Sequence, residues 1–192
     1  MQQLEIEYKI LLTQDIFHQI LHDYQNKITK DYIQINDYLT HPILSQKKYM
    51  LRIRTKNNQY ELTLKRPYQN HQLETNIPLT KKEKDLFFQF QLKNEITDIL
   101  EQEGIPLHEL AHLFSLTTHR YDILLPEGTL SLDENTYLHQ HDYELEFEVH
   151  HEKKGYQQFL KIIEPYHLQY THNCPSKVTR AFEAYLKSSH QK

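Results

Sequence analysis

Acidic side chains recur at alternate positions in two separated segments of the chain. Glu5 and Glu7 stand two residues apart near the start, and the same spacing returns at Glu144, Glu146 and Glu148. Alternate side chains of a β-strand point to one face, so each set places carboxylates about 7 Å apart along that face. Carboxylates arranged in this way repel one another, and a bound Mg²⁺ or Mn²⁺ relieves the repulsion. The spacing therefore indicates a site for a hard divalent cation.

Basic side chains follow the same alternation. Arg52 and Arg54 share one face of the segment 48–56, and Lys65 lies on the charged face of the next segment, 59–65. Guanidinium groups bind phosphate oxygens through paired hydrogen bonds, so arginines on one face favour a polyanionic ligand. Oxygen ligands for a metal beside cations for phosphate form the combination that phosphoryl chemistry requires.

The elements that must position these side chains are mostly strands. Period-two alternation of apolar and polar residues predicts strands over 4–10, 31–39, 48–56, 59–65, 117–124, 129–133 and 143–149. Apolar residues at three- and four-residue spacing predict helices over 14–26, 82–92, 94–103, 152–164 and 175–188. The mixture indicates an α+β fold with a largely antiparallel sheet. Because no repeat or linker interrupts the chain, we expect a single domain over residues 1–192.

Each charged strand face has two interpretations. Taken alone, a strand with one apolar and one charged face is typical of an ordinary sheet with a solvated surface. Taken together, the charged faces favour a sheet that curls into a closed or nearly closed β-barrel with a wet, charged lumen. Amphipathic helices would then cover the apolar outside.

The composition excludes several classes of protein. The 192-residue chain has a formal net charge of −4, which provides no global basic field for duplex nucleic acid or an anionic membrane. Its three glycines stand apart from one another, so glycine-rich dinucleotide and P-loop phosphate sites are excluded. One cysteine, Cys174, excludes a disulfide framework, and we find no secretion signal and no long apolar run. We therefore expect a cytoplasmic protein.

The charged segments also form an ordered series of motifs. In chain order the series is Glu5-Ile6-Glu7-Tyr8-Lys9, Gln34 with Asn36 and Tyr38, Arg52-Ile53-Arg54, Leu62-Thr63-Leu64-Lys65, Arg120-Tyr121, Leu132-Asp133, Glu144-Leu145-Glu146, and Ser176-Lys177 with Arg180. The first motif resembles the ExExK motif, and the last the SKxxR helix, of the CYTH superfamily, the triphosphate tunnel metalloenzymes. The series is most similar to the YjbK-type branch of Gram-positive bacteria. One departure is Thr40, where family members often carry aspartate.

The resemblance implies an eight-stranded antiparallel tunnel that binds a triphosphate compound and Mg²⁺ or Mn²⁺. The metal ligands it implies are Glu5, Glu7, Asp133, Glu144, Glu146 and Glu148. The phosphate ligands it implies are Lys9, Arg52, Arg54, Lys65, Arg120 and Arg180. Lys9 and Lys177 are the candidate catalytic residues: Lys177 would orient the attacking water or, if neighbouring cations lower its pKa, act as its base. The expected partner is a small-molecule triphosphate, bound by a monomer or homodimer without duplex nucleic acid or membrane.

Several activities occur in this family, so alternatives remain open. Hydrolysis of inorganic tripolyphosphate is favoured because no aromatic-rich pocket for a base is visible in the sequence. A class IV adenylate cyclase, a thiamine triphosphatase and a non-catalytic module that binds polyphosphate or nucleotide are the alternatives.

A different chemistry is suggested by one further motif. His108-Glu109-Leu110-Ala111-His112 matches HExxH, which on a helix would bind zinc through both histidines. Pro106 leaves room for only a short helix, and no third ligand follows at metzincin spacing. A zinc protease is therefore the lesser interpretation.

Overall fold

The computed structural model describes residues 6–68 and 71–189. Their contacts divide them into two compact units. One, here called the middle unit, consists of residues 34–116, and the other, the terminal unit, combines residues 6–33 with residues 117–189. The single domain expected from the sequence stays a prediction.

The described residues form strands, α-helices and short 3₁₀ helices. The strands are β1 (Ile6–Leu12), β2 (Ile28–Thr40), β3 (Met50–Lys56), β4 (Gln59–Tyr68), β5 (His71–Leu79), β6 (Ala111–Leu125), β7 (Gly128–Tyr137) and β8 (Gln140–Val149). The α-helices are α1 (Gln14–Tyr24), α2 (Pro42–Lys47), α3 (Lys81–Phe88), α4 (Glu95–Gln102), α5 (Glu152–Ile163) and α6 (Lys177–Ser189). The 3₁₀ helices are Gln25–Lys27, Leu107–Glu109 and Glu164–Tyr166.

The eight strands belong to one sheet with the order β1-β8-β7-β6-β2-β3-β4-β5. The strand pairs within each unit are antiparallel, as expected for an α+β fold of this kind. Because β1 and β5 stand at the two ends of this order, hydrogen bonds between the described strands do not close the sheet. The closed form of the expected barrel is therefore not observed, and a nearly closed tunnel stays a prediction.

In the terminal unit, helices α1 and α5 cover an apolar face formed by β1, β6, β7 and β8. The register pairs Ile10 with Leu145, so alternate residues of neighbouring strands share this face. Phe17 of α1 and Phe159 of α5 have no exposed surface. The opposite face of the same strands carries the charged side chains.

In the middle unit, helices α2, α3 and α4 pack on the apolar face of β3 and β4. Ile53 and Leu62 are paired across these strands and fully buried, together with Ile96 of α4. Helices α3 and α4 both begin with reciprocal capping boxes, which satisfy backbone N–H groups that a helix start leaves free. Here too the charged side chains occupy the other face of the strands.

All seven predicted strands and all five predicted helices are present, with shifted ends, and two further elements are not predicted. β5 contains Pro78, and a proline within a strand-like run argues against a strand because it cannot donate to the ladder. The strand order places β5 at an edge of the sheet, where a proline is tolerated. α2 has only six residues and is too short for a helical period to be recognised.

The HExxH segment is not helical. Leu107–Glu109 forms a single 3₁₀ turn, and Ala111 already begins β6. His108 and His112 therefore do not project from one face of a helix, and His112 Nε2 instead lies 3.1 Å from Ser115 Oγ. The zinc-protease alternative is wrong.

Gly155→Ala is expected to destabilise the protein. A Cβ atom at this buried position would lie 2.5 Å from the Cβ atom of Val149 on β8, and crowding of this kind costs about 1–3 kcal/mol. Since alanine is the better helix former by about 1 kcal/mol, we expect a net loss of about 1 kcal/mol in the free energy of unfolding in urea. Gln157→Ala, at an exposed site of the same helix, is the control. Equal stability of the two variants would contradict the close approach of α5 to β8.

Candidate functional site

Strand register brings charged residues of the terminal unit together on one face. Glu146 of β8 is paired with Lys9 of β1 on one side and with Ser131 of β7 on the other. Asp133 of β7 is likewise paired with Glu144 of β8 and with Arg120 of β6. Paired residues of antiparallel strands point to the same face, so the predicted motif residues of four separate strands share one surface.

Lys177, the first residue of α6, reaches the centre of this surface. Its Nζ atom lies 2.7 Å from Asp133 Oδ2, 3.2 Å from Glu144 Oε1 and 2.5 Å from Glu146 Oε1. Asp133 and Glu144 have no exposed surface, and only 14% of the Lys177 side chain is exposed. The ammonium group is thus a buried cation bound by three carboxylates.

Two arginines complete the network on either side of Lys177. Arg120 binds Asp133 in a bidentate manner, with N–O distances of 2.7 and 2.6 Å, and its Nη2 also donates to Glu146. Arg180 of α6 donates to both oxygens of Asp142 at 2.8 and 3.0 Å and to Glu144 Oε2 at 2.5 Å. Both guanidinium groups therefore have the forked geometry that also suits phosphate oxygens.

The acids of this cluster outnumber its cations by one. The carboxylates of Asp133, Asp142, Glu144 and Glu146 surround the cationic groups of Arg120, Lys177 and Arg180. Burial raises the pKa of Glu144 to about 7; neighbouring Glu146 adds to the increase, and Lys177 and Arg180 oppose it. Burial also acts to raise the pKa of Glu146, but Lys177 and Arg120 outweigh it and hold that pKa well below its usual value. The cluster therefore has room for further positive charge.

The carboxylates around Lys177 favour the protonated form of its side chain. Burial acts to lower its pKa, but Asp133, Glu146 and Glu144 outweigh this effect and raise the pKa above its usual value. A base needs a lowered pKa. In this arrangement Lys177 is therefore a protonated hydrogen-bond donor, which favours the orienting role predicted from the sequence; its alternative role as the base stays a prediction.

Lys9, Glu7 and Glu148 lie beside the cluster. Lys9 forms an ion pair with Glu7, and Glu148 is exposed on the same strand face opposite Glu7. The chain segment before α6 runs along β1: Asn173 Oδ1 accepts the Lys9 backbone N–H at 2.8 Å, and the Cys174 N–H donates to the Lys9 carbonyl at 3.1 Å. Glu5, the remaining predicted metal ligand, lies outside the described residues.

The middle unit holds a second charged cluster. Glu74 of β5 lies 2.5 Å from Lys65 Nζ and 3.7 Å from Arg52 Nη2. Among the described residues, the buried Nε atom of Arg52 has no hydrogen-bond partner. A buried donor without an acceptor is unfavourable, so this N–H is available to an acceptor from a ligand or from solvent.

Arg54 is held on the same strand face as Arg52. Its Nε atom donates to Asn36 Oδ1 at 3.1 Å, and its Nη1 lies 3.8 Å from Glu61 Oε1. A cavity of about 920 Å³ is lined by Arg54, Tyr60 and Lys81, among other residues of the β3–β4 turn, β5 and α3. Arg54 therefore borders a space large enough for a small molecule.

The donor chemistry of the terminal cluster fits a divalent metal. In residues 6–68 and 71–189 no three Asp, Glu, His or Cys side chains form a ready metal-ligand group. Asp133, Glu144 and Glu146 nevertheless direct carboxylate oxygens at one point, which Lys177 occupies. Carboxylate oxygens are the ligands that Mg²⁺ and Mn²⁺ prefer.

Strand alternation alone does not reveal all members of the clusters. Glu74 is missed because β5 is not predicted, although Leu73, Thr75, Ile77 and Leu79 alternate within it. Asp142 is missed because the predicted strand starts one residue later, yet it extends the Glu144, Glu146 alternation by one step. Asn135 and Asn76, which bind neighbouring polar side chains, carry no signal that separates them from surface residues.

The comparisons with known proteins identify the family. A family model for the CYTH domain matches residues 3–181. The chain belongs to the CYTH domain family, and the resemblance recognised in its motifs is confirmed. It is 33% identical over 190 residues to the Bacillus subtilis protein named "Putative triphosphatase YjbK", covering 97% of this chain and 98% of that one.

Solved structures agree with this fold. A crystal structure from Bacillus halodurans, described as a "putative adenylate cyclase", is 30% identical with a TM-score of 0.82 and covers 94% of this chain and 98% of that chain. A Hippeastrum protein, described as a "Putative adenylyl cyclase" with "a dominant triphophatase activity", is 20% identical with a TM-score of 0.75 and covers 96% of each chain. The second likeness supports the fold alone. None of the helices formed by the described residues has the length and apolar character that a membrane span needs.

Glu74→Gln is expected to destabilise the protein most at neutral pH. Burial acts to raise the pKa of Glu74, but Lys65 and Arg52 outweigh it, so the pKa is lowered in the folded state. At pH 7 the loss of hydrogen bonds to charged partners is expected to cost about 2 kcal/mol in the free energy of unfolding.

The difference between wild type and Glu74→Gln should shrink on acidification. A lowered folded-state pKa gives stabilisation that is complete above the unfolded value of about 4.3 and is lost as the pH falls through the folded value. Urea denaturation of both proteins at neutral and acidic pH measures this. Glu101→Gln, from an ion pair in which both side chains are more than 70% exposed, is the control and should have little effect. A Glu74 effect that does not depend on pH would disprove the assignment.

Proposed function

We propose that this protein hydrolyses a triphosphate compound with the help of Mg²⁺ or Mn²⁺, and that inorganic tripolyphosphate is the preferred substrate. The observation that carries this proposal is the terminal cluster, in which three carboxylates converge at one point between two forked guanidinium groups. Few functions other than phosphoryl chemistry use hard oxygen ligands and phosphate-binding cations side by side. The name of the Bacillus subtilis relative supports the same class of reaction.

The acids hold the metal in this proposal. Glu144, Glu146 and Asp133 supply the oxygens described above. Glu5 and Glu7 are assigned by the family motif, and Glu148 by the strand face that it shares with Glu144 and Glu146. When bound, the metal neutralises phosphate charge and lowers the pKa of water. The partial protonation implied by a Glu144 pKa of about 7 suits a site that gains stability when positive charge enters.

The basic residues hold the phosphates. Arg120 and Arg180 present forked donors in the terminal unit. Arg52 and Arg54 do so in the middle unit, where Lys65 adds an ammonium group and Arg52 Nε lacks an acceptor among the described residues. Lys9 is assigned to phosphate binding and catalysis by its place in the ExExK motif. Lys177, being protonated, donates hydrogen bonds that orient the attacking water or stabilise the charge that develops on phosphate oxygens.

A second candidate is an activity on a nucleoside triphosphate. The cavity beside Arg54 is larger than a tripolyphosphate ion requires, and Tyr60, Asn58 and Gln59, residue types able to contact a base, are among the residues that line it. The relative of 30% identity that is described as a putative adenylate cyclase supports this candidate. Under this candidate the protein would hydrolyse ATP or thiamine triphosphate, or cyclise ATP.

We expect Glu146→Gln to abolish turnover. The assay measures phosphate released from tripolyphosphate with Mg²⁺ or Mn²⁺, and in parallel cyclic AMP and pyrophosphate formed from ATP. Loss of one metal-binding carboxylate should lower kcat about 100-fold or more, because metal assistance is worth several kcal/mol. Glu134→Gln is the matched control, since Glu134 lies on the opposite strand face and pairs with His141.

The products separate the candidates. Phosphate from tripolyphosphate supports the triphosphatase, and cyclic AMP with pyrophosphate supports the cyclase. Tripolyphosphate binding without turnover, seen by calorimetry, would support the non-catalytic module and overturn the proposed enzyme.

Arg54→Gln should weaken substrate binding rather than remove activity. Loss of one charged contact to phosphate is expected to raise KM for tripolyphosphate about tenfold. Steady-state kinetics measure this against Lys93→Gln, which neutralises a lysine that is 75% exposed. Unchanged KM in Arg54→Gln would remove Arg54 from the phosphate site.

A further inference from the structure

The point at which three carboxylates of the terminal unit converge is already occupied by a cation of the chain itself. Lys177 Nζ lies within 3.2 Å of oxygens from Asp133, Glu144 and Glu146. No metal ion can share that point with an ammonium group, because the two positive charges would repel at contact distance. Metal binding at that point and the observed position of Lys177 therefore exclude one another.

We propose that Lys177 acts as a built-in counter-cation that a divalent metal must displace, so that this residue sets the affinity of the site for metal. The inference rests on the metal dependence proposed above. It assigns to Lys177 a part that the family motif does not supply: it holds the three carboxylates together and limits metal binding before substrate arrives.

The charge of the cluster favours the exchange. Four carboxylates, of Asp133, Asp142, Glu144 and Glu146, face three cationic groups, so one negative charge is left over when Glu144 is ionised. Replacement of the ammonium by a divalent cation balances the cluster. The exchange is opposed by the loss of three short ion pairs, and the metal affinity is the difference between these two effects.

The local structure allows Lys177 to leave without undoing α6. Lys177 is the first residue of the helix, and its four-carbon stem is flexible. Arg180 also attaches the same helix to β8, through both oxygens of Asp142 at 2.8 and 3.0 Å, besides its contact with Glu144. The released ammonium is then available to anionic oxygens of the substrate.

Amine labelling of the wild-type protein tests the displacement directly. Lys177 should react slowly with an acetylating reagent in the absence of metal, because it is buried and ion-paired, and at least about tenfold faster with saturating Mn²⁺. Peptide mass spectrometry reports each lysine separately. Lys187, exposed near the other end of α6, is the internal control and should react at one rate throughout. Continued protection of Lys177 in protein that has bound Mn²⁺ would overturn the proposal.

A pair of variants tests the same idea from the other side. Lys177→Met removes the charge and keeps the length of the side chain, and it should bind Mn²⁺ at least about tenfold more tightly than wild type. Free Mn²⁺ is measured by its electron paramagnetic resonance signal, with Lys187→Met as the control of equal net charge. Equal Mn²⁺ affinity of the two folded variants would overturn the proposal. If Lys177→Met does not fold, the labelling experiment decides alone.

Neither measurement uses turnover, so failure of this inference is distinct from failure of the proposed function. Hydrolysis of tripolyphosphate while Lys177 stays protected would support the proposed function and overturn the inference about Lys177. Release of Lys177 on Mn²⁺ binding without hydrolysis of tripolyphosphate would support the inference about Lys177 and overturn the proposed function.

Discussion

The pairing of buried opposite charges is the constraint on which the polar face of the terminal unit depends. Asp133 and Glu144 have no exposed surface, and an unpaired carboxylate in such a place would be strongly unfavourable. Their partners come from other elements: Arg120 from β6, and Lys177 and Arg180 from α6. These contacts therefore attach α6 electrostatically. The residues that would do chemistry are the same residues that hold the helix in place.

The charged strand faces of the two units differ in the sign of their net charge. In the terminal unit acids exceed cations around Lys177. On the charged face of β3, β4 and β5 the balance is reversed, because the register places four basic residues with two acidic ones: Arg52, Arg54, Lys56 and Lys65 with Glu61 and Glu74. One unit thus suits a hard cation and the other a polyanion. The proposed reaction needs both properties, and the residues that would supply them come from separate stretches of sequence.

Period-two alternation predicts which side chains share a strand face, but it carries no information on register. It therefore places Glu144 and Glu146 on one face correctly. It cannot reveal that Asp133 stands opposite Glu144 or that Lys177 enters between them, because those contacts depend on strand pairing and on where α6 docks. Alternation also cannot predict that the pKa of Lys177 is raised, because the three carboxylates that raise it lie on two strands remote from Lys177 in sequence. Glu74 is not predicted because the proline in β5 argues against a strand there.

The contacts of the chain segment before α6 have a consequence for self-association. An edge strand with free backbone groups is a template for pairing with another molecule, and it promotes aggregation. At β1 the side chain of Asn173 and the backbone of Cys174 occupy the Lys9 N–H and carbonyl, and Asn173 also donates to the Glu7 carbonyl. At β5 Pro78 has no N–H to offer. At these positions β1 and β5 therefore offer a foreign strand fewer free backbone groups than an uncovered edge would.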